Sequence, residues 1–309
     1  MKVWWLRPLV RLLAALVLPF AVPAIITALI WALPGDPAEI ICPPERCGGT
    51  EVLAARWNLD QGPWHFYVNW LSSAMQGDFG NSWRVLQGVT VRSLLEESVP
   101  TTTLLMALGM LPIVLGSIGA ATGRLPARVD PALSAFGVVP AVIFSLFFAA
   151  LIELRYGAES FDEHARMVRL GVGAVVLGLS DGALGAAVAG VRALFSAEEK
   201  QRYVGVAVLR GEGVLANMLP NVSPALAGQL RARLVHLLSG TVVVEVVLRI
   251  DGVGDLLWQG TLLQDFGVVL AAAGGFAFFS AFMLFFQAVV EILVSLHVRR
   301  APVLPLAPG

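Results

Sequence analysis

The chain has 309 residues, of which 57% are hydrophobic and only 14% are charged, and its net charge is −1. Soluble globular proteins carry about a quarter charged residues, so this composition excludes an ordinary soluble protein. The near-neutral charge also provides no basic field that would attract nucleic acid. The sequence therefore predicts an all-α, polytopic membrane protein in contact with a lipid bilayer.

Six hydrophobic segments are long enough to cross a bilayer, which takes about 20 residues each. The predicted spans are Pro8–Leu33, Thr101–Thr122, Ala132–Ile152, Leu170–Leu194, Ala225–Leu248 and Val268–Val294. Pro140 interrupts the third span. The first is interpreted as an uncleaved span because its apolar core is too long for a signal peptide and no small-residue cleavage site follows it.

The even number of spans places both termini on one side of the membrane. Basic residues concentrate in short inside loops if the N-terminus is cytoplasmic, as the positive-inside rule expects. The predicted divisions are a first span with a cytoplasmic N-terminus (1–33), an external loop with short helices (34–100), a five-helix core (101–300) and a cytoplasmic tail (301–309).

The external loop contains two predicted helices, LAARWNLD and the aromatic-rich WHFYVNWLSSAM. The side chains of Trp64, Phe66, Tyr67 and Trp70 suit a helix that lies at the membrane surface. The only two cysteines, Cys42 and Cys47, also fall in this loop. In an oxidising periplasm they are expected to form a disulfide, and metal ligation is disfavoured because no histidine is close in sequence.

Motifs for catalysis are absent from the sequence. The four histidines are scattered without metal-binding spacing, and no Walker A loop precedes a Lys-Ser or Lys-Thr pair. Gly178, Gly182 and Gly185 in the fourth span are better explained by close helix packing than by phosphate binding. We therefore expect no catalytic residue, cofactor or metal in this chain.

Residues Ser196–Ala225 form the longest charged interruption between hydrophobic segments in the second half of the chain. Ser196, followed by Glu198 and Glu199, predicts the start of a helix. The segment is rich in small residues and ends at Leu219–Pro220. It is either an ordinary connecting loop or a segment that docks onto another protein.

Charged residues in the fifth span need a separate explanation, because an arginine at the bilayer centre costs about 2.5–3.5 kcal/mol on insertion scales. Arg231 and Arg233 could reach the cytoplasmic interface by snorkelling from a span that begins near Leu234. Alternatively, one of them could line a path for an anionic group together with His236. The possible path-lining residues are Asp181, Arg231, Arg233, His236 and Glu245, with Asp181 a possible partner of the basic groups and Glu245 expected to be structural.

Four patches lie in a characteristic order along the chain. They are LPGDP at Leu33–Pro37, GDFGNS at Gly77–Ser82, LLSG at Leu237–Gly240 with Glu245 and IDGVG at Ile250–Gly254, and DFGVV at Asp265–Val269. This combination resembles the permease subunits of dipeptide/oligopeptide/nickel ABC importers, and it covers nearly the whole chain. The resemblance implies six transmembrane helices of the type I importer kind in a bacterial inner membrane.

The resemblance also identifies Ser196–Ala225 as the segment that couples such permeases to an ATPase. Its residues are similar to the family patterns Y-x-x-x-A-x-x-x-G and L-R-N-x-L-L-P, although the segment is shorter and has Gly205 and Val208 where the family has basic residues. The implied coupling residues are Glu198, Tyr203, Ala207, Arg210, Gly211, Asn217, Leu219 and Pro220.

The implied function is ATP-driven import of peptides or similar small solutes. The implied partners are a homologous second permease subunit, cytoplasmic ATPase subunits that hydrolyse the ATP, and a periplasmic substrate-binding protein. A non-transporting permease-like scaffold is the main alternative, because the coupling segment is shortened. A secondary transporter would predict inverted repeats, and the sequence shows none.

Overall fold

A computed structural model describes residues 6–41, 51, 54–55, 59–157 and 162–300 of the chain. Within these ranges the chain is helical, and the nearest approach to a sheet is a single bridge between Asn81 and Thr90. Cys42 and Cys47, and half of the predicted LAARWNLD helix, lie outside the described residues. The disulfide therefore stays a prediction.

The described helices begin and end as follows. In chain order they are α1 (Leu6–Ala32), α2 (Pro37–Ile41), α3 (Gly62–Ala74), α4 (Val91–Ala121), α5 (Asp130–Phe136), α6 (Ala141–Tyr156), α7 (Glu163–Leu179), α8 (Ala183–Glu199), α9 (Arg202–Leu209), α10 (Val214–Leu248), α11 (Val253–Leu262) and α12 (Phe266–Arg300). We call the side of the molecule that carries the α1–α4 connection the distal side, and the side that carries α9 the proximal side.

Among the described residues, four helical stretches are long and apolar enough to cross a membrane: α1, α4, α12 and the nearly continuous pair α7–α8. The pair α5–α6, bent by 73°, adds a fifth if it counts as one span. The 35-residue helix α10 holds the predicted fifth span but is not among these stretches, and it carries Arg231, Arg233 and Glu245. The expectation of an all-α polytopic membrane protein is confirmed.

Pro140 interrupts the third predicted span, as the sequence indicates. The break separates α5 from α6, and Pro140 is the residue immediately before α6. Proline cannot donate a backbone hydrogen bond and disfavours helical conformation in the residue before it. The helix therefore ends near Phe136 and restarts at Ala141.

Helix α10 occupies the middle of the bundle, where it packs against α4, α6, α7, α8, α11 and α12. The main core contains fully buried side chains from three of these helices, including Leu105 of α4, Leu177 of α7, and Leu237 and Val244 of α10. Burial of such side chains contributes about 1.5–3 kcal/mol each. The bundle is thus organised around the helix that also carries the unusual charges.

Small residues allow close helix crossings at two glycines of the fourth span. A Cβ atom at Gly178 would lie 2.8 Å from the carbonyl oxygen of Gly109, so α7 and α4 cross almost backbone to backbone. At Gly185 it would lie 3.1 Å from the carbonyl oxygen of Leu133. The packing explanation given to these glycines is therefore confirmed. Gly182 differs, because its φ of +71° is the left-handed conformation that glycine favours.

Candidate functional site

The predicted coupling segment forms a compact proximal unit from the end of α8, the short helix α9 and the start of α10. Val204 and Ala207 of α9 are buried. Val204 belongs to an apolar cluster that includes Phe195 of α8 and Met218 of α10. Helix α9 is therefore held against both flanking helices by one of its faces.

Polar contacts fix the two ends of this unit. The hydroxyl of Tyr203 donates a 2.5 Å hydrogen bond to Oε1 of Glu198. Partial burial raises the pKa of Tyr203, and the bond to Glu198 raises it further. After α9, Gly211 has a φ of +71°, which favours glycine and allows the chain to turn directly into α10.

The remaining predicted coupling residues lie around this turn. Arg210 is 4.0 Å from Glu212 at the protein surface, so the ion pair is weak. The side-chain amide of Asn217 donates to the carbonyl of Gly213. Leu219 and Pro220 are within α10, and the Leu219 side chain is exposed.

The predicted helix start at Ser196 is wrong. Ser196 lies inside α8, which continues to Glu199, and the next helix begins at Arg202. Phe195 is buried in the cluster with Val204 and Met218, and this packing keeps the last turn of α8 helical. Tertiary packing therefore overrides the capping preference of the serine.

Asp181 lies at a break in the middle of the fourth predicted span. Its φ of +52° separates α7 from α8. Its Oδ1 accepts the backbone N–H of Ala141, and its own N–H donates to the carbonyl of Val139. These two bonds join the break at Asp181 to the break between α5 and α6. Asp181 is exposed, and its carboxylate binds a backbone N–H group rather than Arg231 or Arg233.

Arg231 belongs to a polar network between three helices. Its Nε donates a 2.7 Å hydrogen bond to Oε1 of the buried Gln287, and Nε2 of Gln287 donates to Glu291 on the same helix, α12. Glu291 forms an ion pair with Arg11 of α1. Helix α10 is continuous from Val214, and Arg231 bonds to a neighbouring helix. Where the membrane-spanning part of α10 begins stays a prediction, as does snorkelling of the two arginines.

Arg233 and His236 follow Arg231 on α10. Both side chains are half-buried. The Nε atom of Arg233 is buried and has no hydrogen-bond partner within the described part of the chain. The two arginines of α10 therefore lie in different environments, as their separation of two residues on a helix predicts.

Glu245 is fully buried at the distal end of α10. Its carboxylate accepts hydrogen bonds from the hydroxyl of Thr102 at 2.7 Å and from the backbone N–H groups of Gly254 and Asp255 at 2.7 and 3.2 Å. The Thr102 hydroxyl in turn accepts the N–H of Val253. Glu245 thus caps α11 and has no exposed surface from which to line a path.

Asp265 forms a second buried carboxylate site that was not singled out by the sequence. Its Oδ2 accepts from the hydroxyl of Ser82 at 2.6 Å and from the backbone N–H groups of Trp83, Arg84 and Val85. The GDFGNS and DFGVV patches, distant in sequence, therefore meet in space. The pattern DFGVV was the signal, but it did not reveal which residues the aspartate binds.

Residues of the described ranges include no group of three or more His, Cys, Asp or Glu side chains that could hold a metal ion. The buried carboxylates are satisfied by backbone and hydroxyl donors. Glu245 and Asp265 therefore act as caps for the distal helices and the loop after α3.

Comparison with known proteins gives the family. A family model described as "binding-protein-dependent transport system inner membrane component" matches residues 98–301, which include nearly all of the chain from α4 to the end of α12. The chain belongs to this family. It is a membrane permease subunit of an ABC importer, and the family is a transport permease rather than a catalytic enzyme.

Individual relatives match almost end to end. The glutathione transport system permease protein GsiC of Shigella flexneri serotype 5b (strain 8401) is 27% identical over 305 residues, which cover 92% of this chain and 94% of that protein. GsiC of Escherichia coli (strain K12) and of Shigella boydii serotype 4 (strain Sb227) show the same identity and coverage. The resemblance to the dipeptide/oligopeptide importer family is confirmed.

Proposed function

We propose that this chain imports peptides or similar small solutes as one of two homologous permease subunits, driven by cytoplasmic ATPases and supplied by a periplasmic binding protein. The substrate class is supported by the similarity to GsiC, which is named for the transport of glutathione, a short peptide. The proposed location is a bacterial inner membrane, with both termini and α9 in the cytoplasm.

The exposed side of α9 is the observation that best supports an ATPase partner. Val206, Val208 and Leu209 are exposed, Leu209 with 88% of its surface, although α9 lies outside the membrane-spanning helices. Apolar side chains that project from a firmly packed proximal unit are typical anchors for a protein partner. We assign this face to the groove of the ATPase.

The second permease subunit is proposed to cover a face formed by α8 and α10. The exposed membrane-level residues of α4, α6 and α12 are mostly large, such as Leu111, Phe147 and Phe282. By contrast, the exposed residues along α8 and the middle of α10 are mostly small: Ala186, Ala189, Ala193, Ala225, Ala232 and Ser239. Small residues let another helix approach closely in a membrane, so this face suits a partner subunit better than lipid.

His236 borders this small-residue face, since it precedes Ser239 by one turn and is half-buried. Asp181 is exposed at the middle of the bundle. Ionisable groups at this depth are costly unless they face protein or a water-filled path. We propose that both, together with Arg233, lie next to the path enclosed by the two permeases.

A substitution at Leu209 tests the ATPase partner. Leu209→Ala removes the most exposed apolar side chain of α9 without touching its buried residues, so the complex should lose most of its ATPase when the chain is purified from its native membrane. Leu154→Ala is the matched control, because Leu154 is 86% exposed at the distal end of α6. Purification of the unaltered chain without any ATPase would contradict the proposal and favour the scaffold function.

A further inference from the structure

Helix α3 and the first two residues after it, Met75 and Gln76, carry an apolar face that is nevertheless exposed. Trp64 and Met75 expose 68% and 75% of their surface, and Val68 exposes 41%. With the half-buried Leu71 they follow the spacing i, i+4, i+7 and i+11, which places all four on one side of a helix. A parallel row of polar residues lies beside them: His65, Asn69, Ser72 and Gln76.

The third face of α3 holds the helix against α1. The hydroxyl of Tyr67 donates a 2.9 Å hydrogen bond to the backbone carbonyl of Phe20. The ring of Phe66 lies 5.2 Å from the ring of Trp31, centroid to centroid. Phe66 and Tyr67 are both buried. These aromatics, expected from the sequence to lie at the membrane surface, are therefore used for contact with α1.

The depth of α3 follows from its contacts with α1 and α12. Trp70 lies beside Gly274 of α12 and Pro23 of α1: a Cβ atom on Gly274 would be 3.9 Å from Trp70 and 3.7 Å from Pro23. Glu291, which pairs with Arg11, is 17 residues further along α12. That separation is about 25 Å at 1.5 Å per residue.

A bilayer has a hydrocarbon layer about 30 Å thick. Because charged pairs are least costly near its edge, the Arg11–Glu291 pair marks the proximal edge of this layer. The contacts of α3 along α1 run from Phe20 to Trp31, about 14 to 30 Å beyond Arg11, and Gly274 is about 25 Å from Glu291 along α12. Helix α3 thus lies in the distal half of the layer and reaches its distal edge.

We infer that the Trp64–Val68–Leu71–Met75 face of α3 inserts into the distal leaflet and contacts phospholipid acyl chains. The polar row would face the headgroups and water, as in helices that lie in the plane of the interface. The charge pattern supports this, because no Asp, Glu, Lys or Arg occurs from Gln61 to Gln76. The exposed face also continues the apolar surface of α1, where Val17, Phe20 and Ile25 are exposed.

The insertion gives α3 a mechanical role. Helix α3 leads directly into the turn at Gly77, and the following loop is fixed to the start of α12 by Asp265. The distal loop is thereby anchored both to the bundle and to the bilayer surface. This role does not depend on which solute is transported or on which ATPase binds.

Spin labels on the two rows of α3 test the inference. Single cysteines at Trp64, Val68 and Met75, and at His65, Asn69 and Gln76, would be introduced after Cys42→Ser and Cys47→Ser. The purified chain would be placed in nanodiscs of phosphatidylethanolamine and phosphatidylglycerol. The first row should show a several-fold higher ratio of oxygen to nickel-chelate accessibility than the second, because oxygen concentrates among acyl chains.

Two outcomes would overturn the inference. Equal nickel-chelate access on both rows would place α3 in water as a surface for a soluble partner. Low access of both reagents on the first row would mean that protein covers it.

A second measurement keeps the native cysteines. Lipids brominated near the top of the acyl chain should quench the tryptophan fluorescence of the unaltered chain. Trp64→Phe should lower the quenched fraction, whereas Trp83→Phe, at a buried position, should not. Equal quenching of the unaltered chain and the Trp64→Phe variant would contradict contact between Trp64 and lipid.

Discussion

Two buried carboxylates, Glu245 and Asp265, hold the distal turns of the bundle. Each accepts hydrogen bonds from at least two backbone N–H groups and one hydroxyl, and neither is exposed. A buried charge is tolerated when such donors satisfy it. These residues therefore position α11, α12 and the loop after α3. Because they are buried, a transported solute could not contact them.

Removal of the Asp265 carboxylate should destabilise the protein markedly. Asp265→Ala leaves the Ser82 hydroxyl and the backbone N–H groups of Trp83 and Arg84 without this acceptor, and unsatisfied buried donors cost about 1–3 kcal/mol each. Thermal unfolding in detergent, followed by circular dichroism, should show a clearly lower midpoint. Glu96→Ala, which breaks an exposed ion pair with Arg92, should leave the midpoint unchanged, and equal midpoints for both variants would refute the role of Asp265.

The sequence indicates which residues, such as Glu245 and Asp265, are important, but it does not predict which groups they contact. Glu245 was expected to be structural, and in the structure its carboxylate caps α11, but its partner Thr102 lies 143 positions earlier. Asp265 contacts Ser82 across 183 positions. No local periodicity or capping pattern reports pairings of this length, because they depend on how whole helices pack.

At the scale of elements, the glycines of α7 give the sharpest test of the packing. A Cβ atom at Gly178 would lie 2.8 Å from both the Gly109 carbonyl and the ring of Pro112, whereas Gly171 has nothing within 4 Å. Gly178→Ala should therefore push α7 and α4 apart and destabilise the bundle by about 1–3 kcal/mol, as overpacking does.

Gly171→Ala is the control in the same helix. Since alanine favours helix over glycine by about 1 kcal/mol, this variant should be as stable as the unaltered chain or slightly more stable. Thermal unfolding of both variants in one detergent gives the comparison. Equal destabilisation by the two substitutions would show that α7 and α4 do not cross closely at Gly178.

Helix boundaries show where sequence reasoning works and where it fails. The first span, the aromatic helix α3 and the break at Pro140 follow from length, periodicity and proline chemistry, and the structure agrees. The start predicted at Ser196 failed because Phe195 is buried between α9 and α10. The bond of Arg231 to Gln287 on another helix was also missed, because it joins residues 56 positions apart.

The whole molecule shows three kinds of exposed surface. Large apolar residues cover α1, α4, α6 and α12, small residues line α8 and the middle of α10, and an apolar tip projects from α9. The first suits lipid, and we assign the second to a homologous permease and the third to an ATPase. This distribution fits our proposal that the chain lines part of a transport path and carries the lever moved by an ATPase.

The most direct test is ATP-dependent uptake by the complex that purifies with this chain. The complex would be reconstituted into liposomes with its binding protein and ATP on the side of α9, and accumulation of a labelled short peptide such as glutathione would be followed. We predict accumulation that requires ATP and is largely lost with Leu209→Ala but retained with Leu154→Ala. An ATPase-free complex, or uptake indifferent to ATP and to Leu209, would contradict the account.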